Sequence, residues 1–312
     1  MRGLLDRGRA ATVTIALPCR SNEPALKRTM EALVEAVARL EDRGHEVRYA
    51  ICVNGPTGPA SLAAEEFACG KGRGRTRVLT LPVADKAAAW NRLRSDCDTE
   101  WIVFCDADVE PAPDSLVSLC EALETRPDAV IATARLEPIL DGGSFVARAA
   151  ALPHRFDFGV VRGPMYVLRR EALVSMPEGL LLEDAWLSAQ FGASGGGKVL
   201  SVWSAVVHYR PPGNLRDYCR ERLRTEAGKI QIRSDRRSRG VPLTPIARYP
   251  WSQLWSELGP RDLPLVALNI GVRGVCRFVA ELSAWRGREV SWKTVESTKA
   301  PVAPGSPPPG TK

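Results

Sequence analysis

Only three histidines, a 6% share of aromatic residues and no CxxC spacing among eight cysteines exclude several chemistries together. Several of the cysteines (Cys19, Cys52, Cys105, Cys120) lie in apolar runs where a small hydrophobe would serve. This argues against a zinc site or a disulfide framework and for reduced thiols in a cytosolic setting. The opening "MRGLLDRGRAATVTIALP" lacks an uninterrupted apolar stretch with a small-residue cleavage site, so no secretory leader is expected. No segment reads as membrane-spanning either, because the best candidate, 263–282, is interrupted by Asn269, Arg273 and Arg277. The arginines are not interleaved with aromatics as a base-stacking surface requires, so no nucleic-acid partner is expected.

What is present suits a folded α/β protein. Of the 312 residues, 45% are hydrophobic and 25% charged, enough for one large domain or a domain plus an appendage. A net charge of +7 fits a partner carrying phosphates. Short β-branched runs at 12–17, 47–53, 77–81, 101–105 and 129–134 predict strands covered on both faces. Between them, helical spacing predicts helices over 24–39, 60–69, 86–94 and 114–123, the first capped by Asn22 with Pro24 in its first turn. Strand alternating with helix predicts a mostly parallel central sheet flanked by helices, whose ligands sit beyond the carboxyl ends of the strands. The loops found there, "PCRSNE", "NGPTGP" and "DADVEP", are polar and can line one crevice.

The remaining chain divides by composition. After a lead at 1–10, the alternating half spans 11–138. The half at 139–239 is less regular, with a strand expected at 160–168, a short helix from Asp184, strands around 198–209 and a basic helix at 215–232. A helical C-terminal extension follows at 240–295, rich in Trp, Pro and Leu, and the proline-rich tail 296–312 is expected to be disordered.

In "VFCDADVEP" the carboxylates of Asp106 and Asp108 end an apolar strand one residue apart. Most such pairs are solvated turns, and a calcium loop is excluded because the glycine at its sixth position and the closing glutamate are missing. A Mg2+ or Mn2+ site with phosphates completing the shell suits the pair better, since a cation relieves the repulsion. The crevice brings Asn54, Lys86 and Asn91 beside it. Of the second pair, Glu183 reads as a helix-dipole partner and Asp184 as the better base candidate. In "CRERLR", Arg220 and Arg224 share a helix face and, with Arg222, offer guanidinium forks to a diphosphate.

The series "TIALPCRSNE", "YAICVNG", "KAAAWN", "VFCDADVEPAPDSL", "RGPMYVLRREAL", "LLLEDAWLS" and "CRERLR" resembles the family 2 glycosyltransferases of the GT-A fold over about 12–232. The resemblance implies inverting transfer from a nucleotide-diphosphate sugar to a hydroxyl acceptor, with a divalent metal, Mn2+ or Mg2+. It implies that Asp184, in a pattern resembling EDxxL, is the general base, that Asp108 binds the metal, and that Asp106 contacts ribose or metal. It further implies that His208 completes the metal shell, that Pro18, Asn22 and Glu23 lie near base and ribose, and that Lys86 and Asn91 approach the donor.

Two departures bear on function. Asn54 stands where the family commonly has aspartate, and Cys219 and Leu223 replace the glutamine and tryptophan of processive synthases, so single-sugar transfer is expected. Trp251, Trp255, Trp285 and Trp292, mixed with arginines, fit either helices closing the acceptor side or a peripheral contact with the cytoplasmic membrane face and a lipid-linked acceptor. The competing readings are a catalytically silent binding or membrane-surface module of the same fold and a sugar nucleotidyltransferase. The latter would carry a glycine-rich loop after the first strand, which "PCRSNE" is not.

Overall fold

The computed structural model describes residues 10–55, 57–140, 144–192, 198–238, 252, 256–287 and 298–299. Among them, eight strands form one sheet: β1 (Thr12–Arg20), β2 (Glu46–Asn54), β3 (Thr76–Leu81), β4 (Trp101–Cys105), β5 (Glu110–Pro111), β6 (Ile131–Pro138), β7 (Met165–Arg169) and β8 (Val199–Tyr209). Their order is β3-β2-β1-β4-β7-β6-β8-β5. β1, β2, β3 and β4 run parallel, as do β6 and β8, whereas β7 is antiparallel to both its neighbours and β5 to β8. The expected mostly parallel sheet flanked by helices is therefore present.

Helices cover both faces, because the strand interiors are apolar on both sides. Against one face, α1 (Leu26–Asp42), α2 (Pro59–Cys69) and α4 (Ser115–Thr125) bury Met30, Leu33, Val37, Phe67, Leu116 and Leu119. The other face packs α3 (Lys86–Asp96), α6 (Glu183–Phe191) and Ile232 of α7 (Leu215–Ser238) through Trp90, Leu93, Trp186 and Leu187. A short α5 (Phe145–Ala151) and the long α8 (Leu263–Trp285) pack together, and α8 also lies on α7.

Several expectations are corrected. The first helix begins at Leu26 with Ala25 as its cap residue, and Asn22 is exposed rather than capping it. The Glu23 carboxylate accepts the Ala25 N–H instead. The strand expected at 160–168 is shortened to Met165–Arg169, since Pro164 has no N–H for a ladder and its carbonyl accepts from the Asp106 N–H. The basic helix runs on to Ser238.

α8 with the turn before it, Pro260–Trp285, has the length and composition of a membrane-crossing helix. The sequence reading gave it no such standing because of Asn269, Arg273 and Arg277. In the fold Asn269 donates to the Ala149 carbonyl, Arg273 meets Glu226 at 3.5 Å and Arg277 pairs with Glu281.

All eight cysteines are free thiols and none forms a disulfide. The lead 1–9, most of the tail, and Trp251, Trp255 and Trp292 lie outside the described residues.

Candidate active site

The carboxyl ends of β1, β2 and β4 and the start of α6 converge on a cluster of acids held by lysines. β4 ends at Cys105, and the next residues turn out of the sheet as Asp106–Ala107–Asp108. Behind them Trp90 stacks on Phe104 with ring centres 4.7 Å apart, Phe104 stacks on Tyr166 at 5.6 Å, and Trp90 Nε1 donates to the Tyr166 hydroxyl at 3.0 Å. That aromatic stack joins α3, β4 and β7 and fixes where the strand ends.

Lys86 opens α3, whose N-terminus is capped by the Asp85 carboxylate accepting from the Ala87 and Ala88 N–H groups. Rather than pointing to solvent, its ammonium lies 2.7 Å from Asp106 Oδ1 and forms a second ion pair with Glu183. Burial disfavours that charge, but Asp106 and Glu183 outweigh it and hold the lysine pKa above its ordinary value. Burial pushes the Asp106 carboxyl up to about 7, against the pull of Lys86. Glu183, read from sequence as a dipole partner, is a buried member of this bridge.

Asp184 follows on the same turn of α6. Its carboxylate accepts from the Ala185 N–H, and burial followed by the neighbouring Glu183 charge raises it to about 6. Two close approaches place it. A Cβ on Gly163 would stand 3.2 Å from Asp184 Oδ2, and one on Gly228 of α7 would stand 2.5 Å from Leu182 Cγ. The missing side chains let the loop before β7 and the helix α7 close upon the start of α6.

Asp108 and Glu23 meet at a second ammonium, that of Lys299, 2.5 Å from each. Burial pushes Glu23 up, and Lys299 opposes it. Arg224 of α7 stands close enough to lower both Asp108 and Asp184 electrostatically. Its own neighbour is Arg20 at the end of β1, whose pKa falls through burial and through Arg224. Two guanidiniums thus face one acid cluster.

The other expected residues are distributed as follows. Asn54 is buried at the end of β2 and its Oδ1 has no hydrogen-bond partner among the described residues. Pro18 is buried in β1 opposite Cys52. Asn91 does not reach toward a donor: its amide donates to the Met176 carbonyl and accepts the Met176 N–H, both at 2.9 Å, and so is committed to fastening that loop.

Arg220 turns to Asp217 at 3.2 Å, and Arg222 lies 5.4 Å over the Tyr218 ring. Of the three, Arg224 acts electrostatically on Asp108 and Asp184. His208 pairs in register with Glu110 across β5 and β8. The described residues contain no group of three His, Cys, Asp or Glu side chains arranged to hold a metal, so Asp106, Asp108 and His208 do not form such a triad here.

Arg20 and Lys299 escaped the sequence reading. Arg20 lay in view, as the one basic residue of "PCRSNE", whereas Lys299 comes from a tail whose composition gives no sign of the contact.

Residues 14–159 match the sequence model described as glycosyl transferase family 2. No curated protein matches the chain. Among solved structures, a mannosyltransferase from Pyrobaculum calidifontis, in complex with GDP-Man and Mn2+, superposes with a TM-score of 0.64 at 14% identity, covering 91% of this chain and 90% of its own. A mannosyl-3-phosphoglycerate synthase from Rubrobacter xylanophilus superposes with a TM-score of 0.52 at 17% identity, covering 75% of this chain and 77% of its own. At these identities the likeness is one of fold.

Proposed function

We propose that this chain, whose residues 14–159 match the glycosyl transferase family 2 model, transfers one sugar from a nucleotide-diphosphate donor to an acceptor hydroxyl with inversion. The observation that carries this reading is the gathering of Asp106, Glu183 and Asp184 around Lys86 at the carboxyl ends of the strands. An inverting displacement needs a base on one side of the anomeric carbon and a charge sink for the leaving diphosphate on the other.

Asp184 takes the proton from the acceptor hydroxyl as its oxygen attacks. Glu183, paired with Lys86, lies beside Asp184 and raises its basicity by like charge. Arg224 and Arg20 bring two fixed positive charges to the same cluster, suited to the departing phosphates. Asn54, with its buried free acceptor, is suited to an edge of the nucleotide base.

The donor set fits a divalent cation such as Mn2+ or Mg2+. Asp106 and Asp108 are hard oxygen ligands one residue apart, and each already sits on an ammonium, so the site is built to hold positive charge. When bound, the cation neutralises the diphosphate. With no third protein ligand gathered among the described residues, phosphate oxygens and water would complete its shell.

In this reading the half at 11–138 holds the donor and that at 139–239 the acceptor. The outward face of α8 supports a peripheral membrane contact and a lipid-linked acceptor. Leu263, Ile270, Val275, Phe278 and Trp285 are exposed, opposite the buried Leu265, Val272, Cys276 and Ala280, with Arg261, Arg277 and Arg286 also exposed along the helix and at its ends.

The test is a panel of nucleotide-diphosphate sugars, GDP-mannose first because the Pyrobaculum neighbour binds it. Thermal unfolding is followed with and without Mn2+, and then sugar transfer. The proposal expects at least one donor to raise the melting temperature only with metal present. No metal-dependent stabilisation by any donor would reject it.

A further inference from the structure

Lys299 reaches the acid cluster from 191 residues beyond Asp108 in the chain. Its ammonium is bound by Asp108 Oδ2 and Glu23 Oε2, each at 2.5 Å, and only 16% of the side chain is exposed. One ammonium is thus shared by two carboxylates, one after β1 and one after β4.

The two lysines of the site are not equivalent. Lys86 belongs to a capped helix and bridges Asp106 to Glu183, so it is part of the frame. Lys299 belongs to no regular helix or strand and occupies Asp108 Oδ2, an oxygen that a divalent cation at Asp108 would use. An ammonium and a divalent cation drawn to the same Asp108 oxygen repel each other, the more strongly as the site is shielded from water, so the two compete for it.

We propose that Lys299 is a built-in competitor for the divalent cation. It holds Glu23 and Asp108 while the donor is absent, cancels their mutual repulsion, and is displaced when metal and nucleotide diphosphate arrive. It thereby sets the metal concentration at which the donor site fills. This rests on the metal-dependent reading above.

The experiment measures Mn2+ affinity for the full chain, the Lys299→Ala variant and the Lys299→Arg variant. Free Mn2+ is followed by electron paramagnetic resonance at saturating GDP and, separately, UDP. Lys299→Ala is expected to bind Mn2+ about tenfold more tightly, the scale of one lost competing contact, and Lys299→Arg to stay near the unsubstituted protein. In a second readout, trypsin cleavage at Lys299 of the unsubstituted chain, scored by mass spectrometry, should accelerate when Mn2+ and the nucleotide are added together.

Equal Mn2+ affinity in all three proteins overturns the competition while leaving the metal reading intact. Weaker binding by Lys299→Ala also overturns it, since the lysine would then be helping to hold the phosphates. Failure of every protein to bind Mn2+ with either nucleotide overturns the metal reading and the competition together.

Discussion

Lys86 Nζ lies 2.7 Å from Asp106 Oδ1 and pairs on its other side with Glu183, so one ammonium joins the end of β4 to the start of α6. The two acids it connects, at 106 and 183, lie 77 positions apart in the chain. The end of the strand that leads to the acid pair and the start of the helix that carries Asp184 are tied by a single side chain.

Replacing Lys86 with Met should therefore cost stability as well as donor binding. Breaking a buried ion pair leaves uncompensated charge at about 3–5 kcal/mol. Because the Lys86 side chain is 18% exposed, about 2 kcal/mol is the expected loss after screening. Urea unfolding measures it, and an unchanged midpoint would show that the bridge contributes nothing to the fold.

Transfer should depend on the ionisation of Asp184. A base must be deprotonated to act, and its carboxyl is raised to about 6, so kcat/KM should climb tenfold per pH unit below that value and level off above it. Asp184→Asn should lower turnover by about 10²–10⁴-fold, the usual share of a positioned base, with donor affinity nearly unchanged. Normal turnover in that variant, or a flat profile between pH 5 and about 7, would remove Asp184 from the role.

Gly228→Ala should disturb the base from a distance. The added methyl would meet Leu182 Cγ at 2.5 Å, directly before Glu183. Overpacking of this kind costs about 1–3 kcal/mol, and kcat should fall with it. Adding Leu182→Ala should recover part of both losses, and a double-mutant cycle with no coupling would show that the contact does not transmit the strain.

The outward face of α8 should carry vesicle binding if the acceptor is lipid-linked. Ile270→Glu with Phe278→Glu places two charges where both side chains are about two-thirds exposed, so the fold should tolerate them. Cosedimentation with vesicles containing anionic phospholipid should be lost while transfer to a soluble acceptor persists. Undiminished cosedimentation would free α8 from that role.

Local signals made much of this architecture legible in the sequence. The first four strands appear where β-branched runs end in polar turns, because such runs need cover on both faces. Asp106, Asp108 and Asp184 were conspicuous as acids at element ends. Through-space partners were not readable in the same way. Lys86 seen alone resembles a solvated helix start, and Asn91 resembles a ligand until Met176 is found to occupy both ends of its amide. The Arg20–Arg224 proximity joins β1 to α7, and Lys299 crosses nearly the whole chain to Glu23. No periodicity encodes contacts of that range.

The reversed direction of β7 has a consequence for how such a protein can diversify. Cys105 leaves β4 beside Met165 entering β7, so the acid pair after one strand and Gly163 before the other emerge at the same edge, with Asp184 against that glycine. Chain inserted or removed in the excursion between β6 and β7 enters and leaves at that edge without altering the register of β4 against β7. The excursion can then change in length and sequence while Asp106, Asp108 and Asp184 keep their spacing.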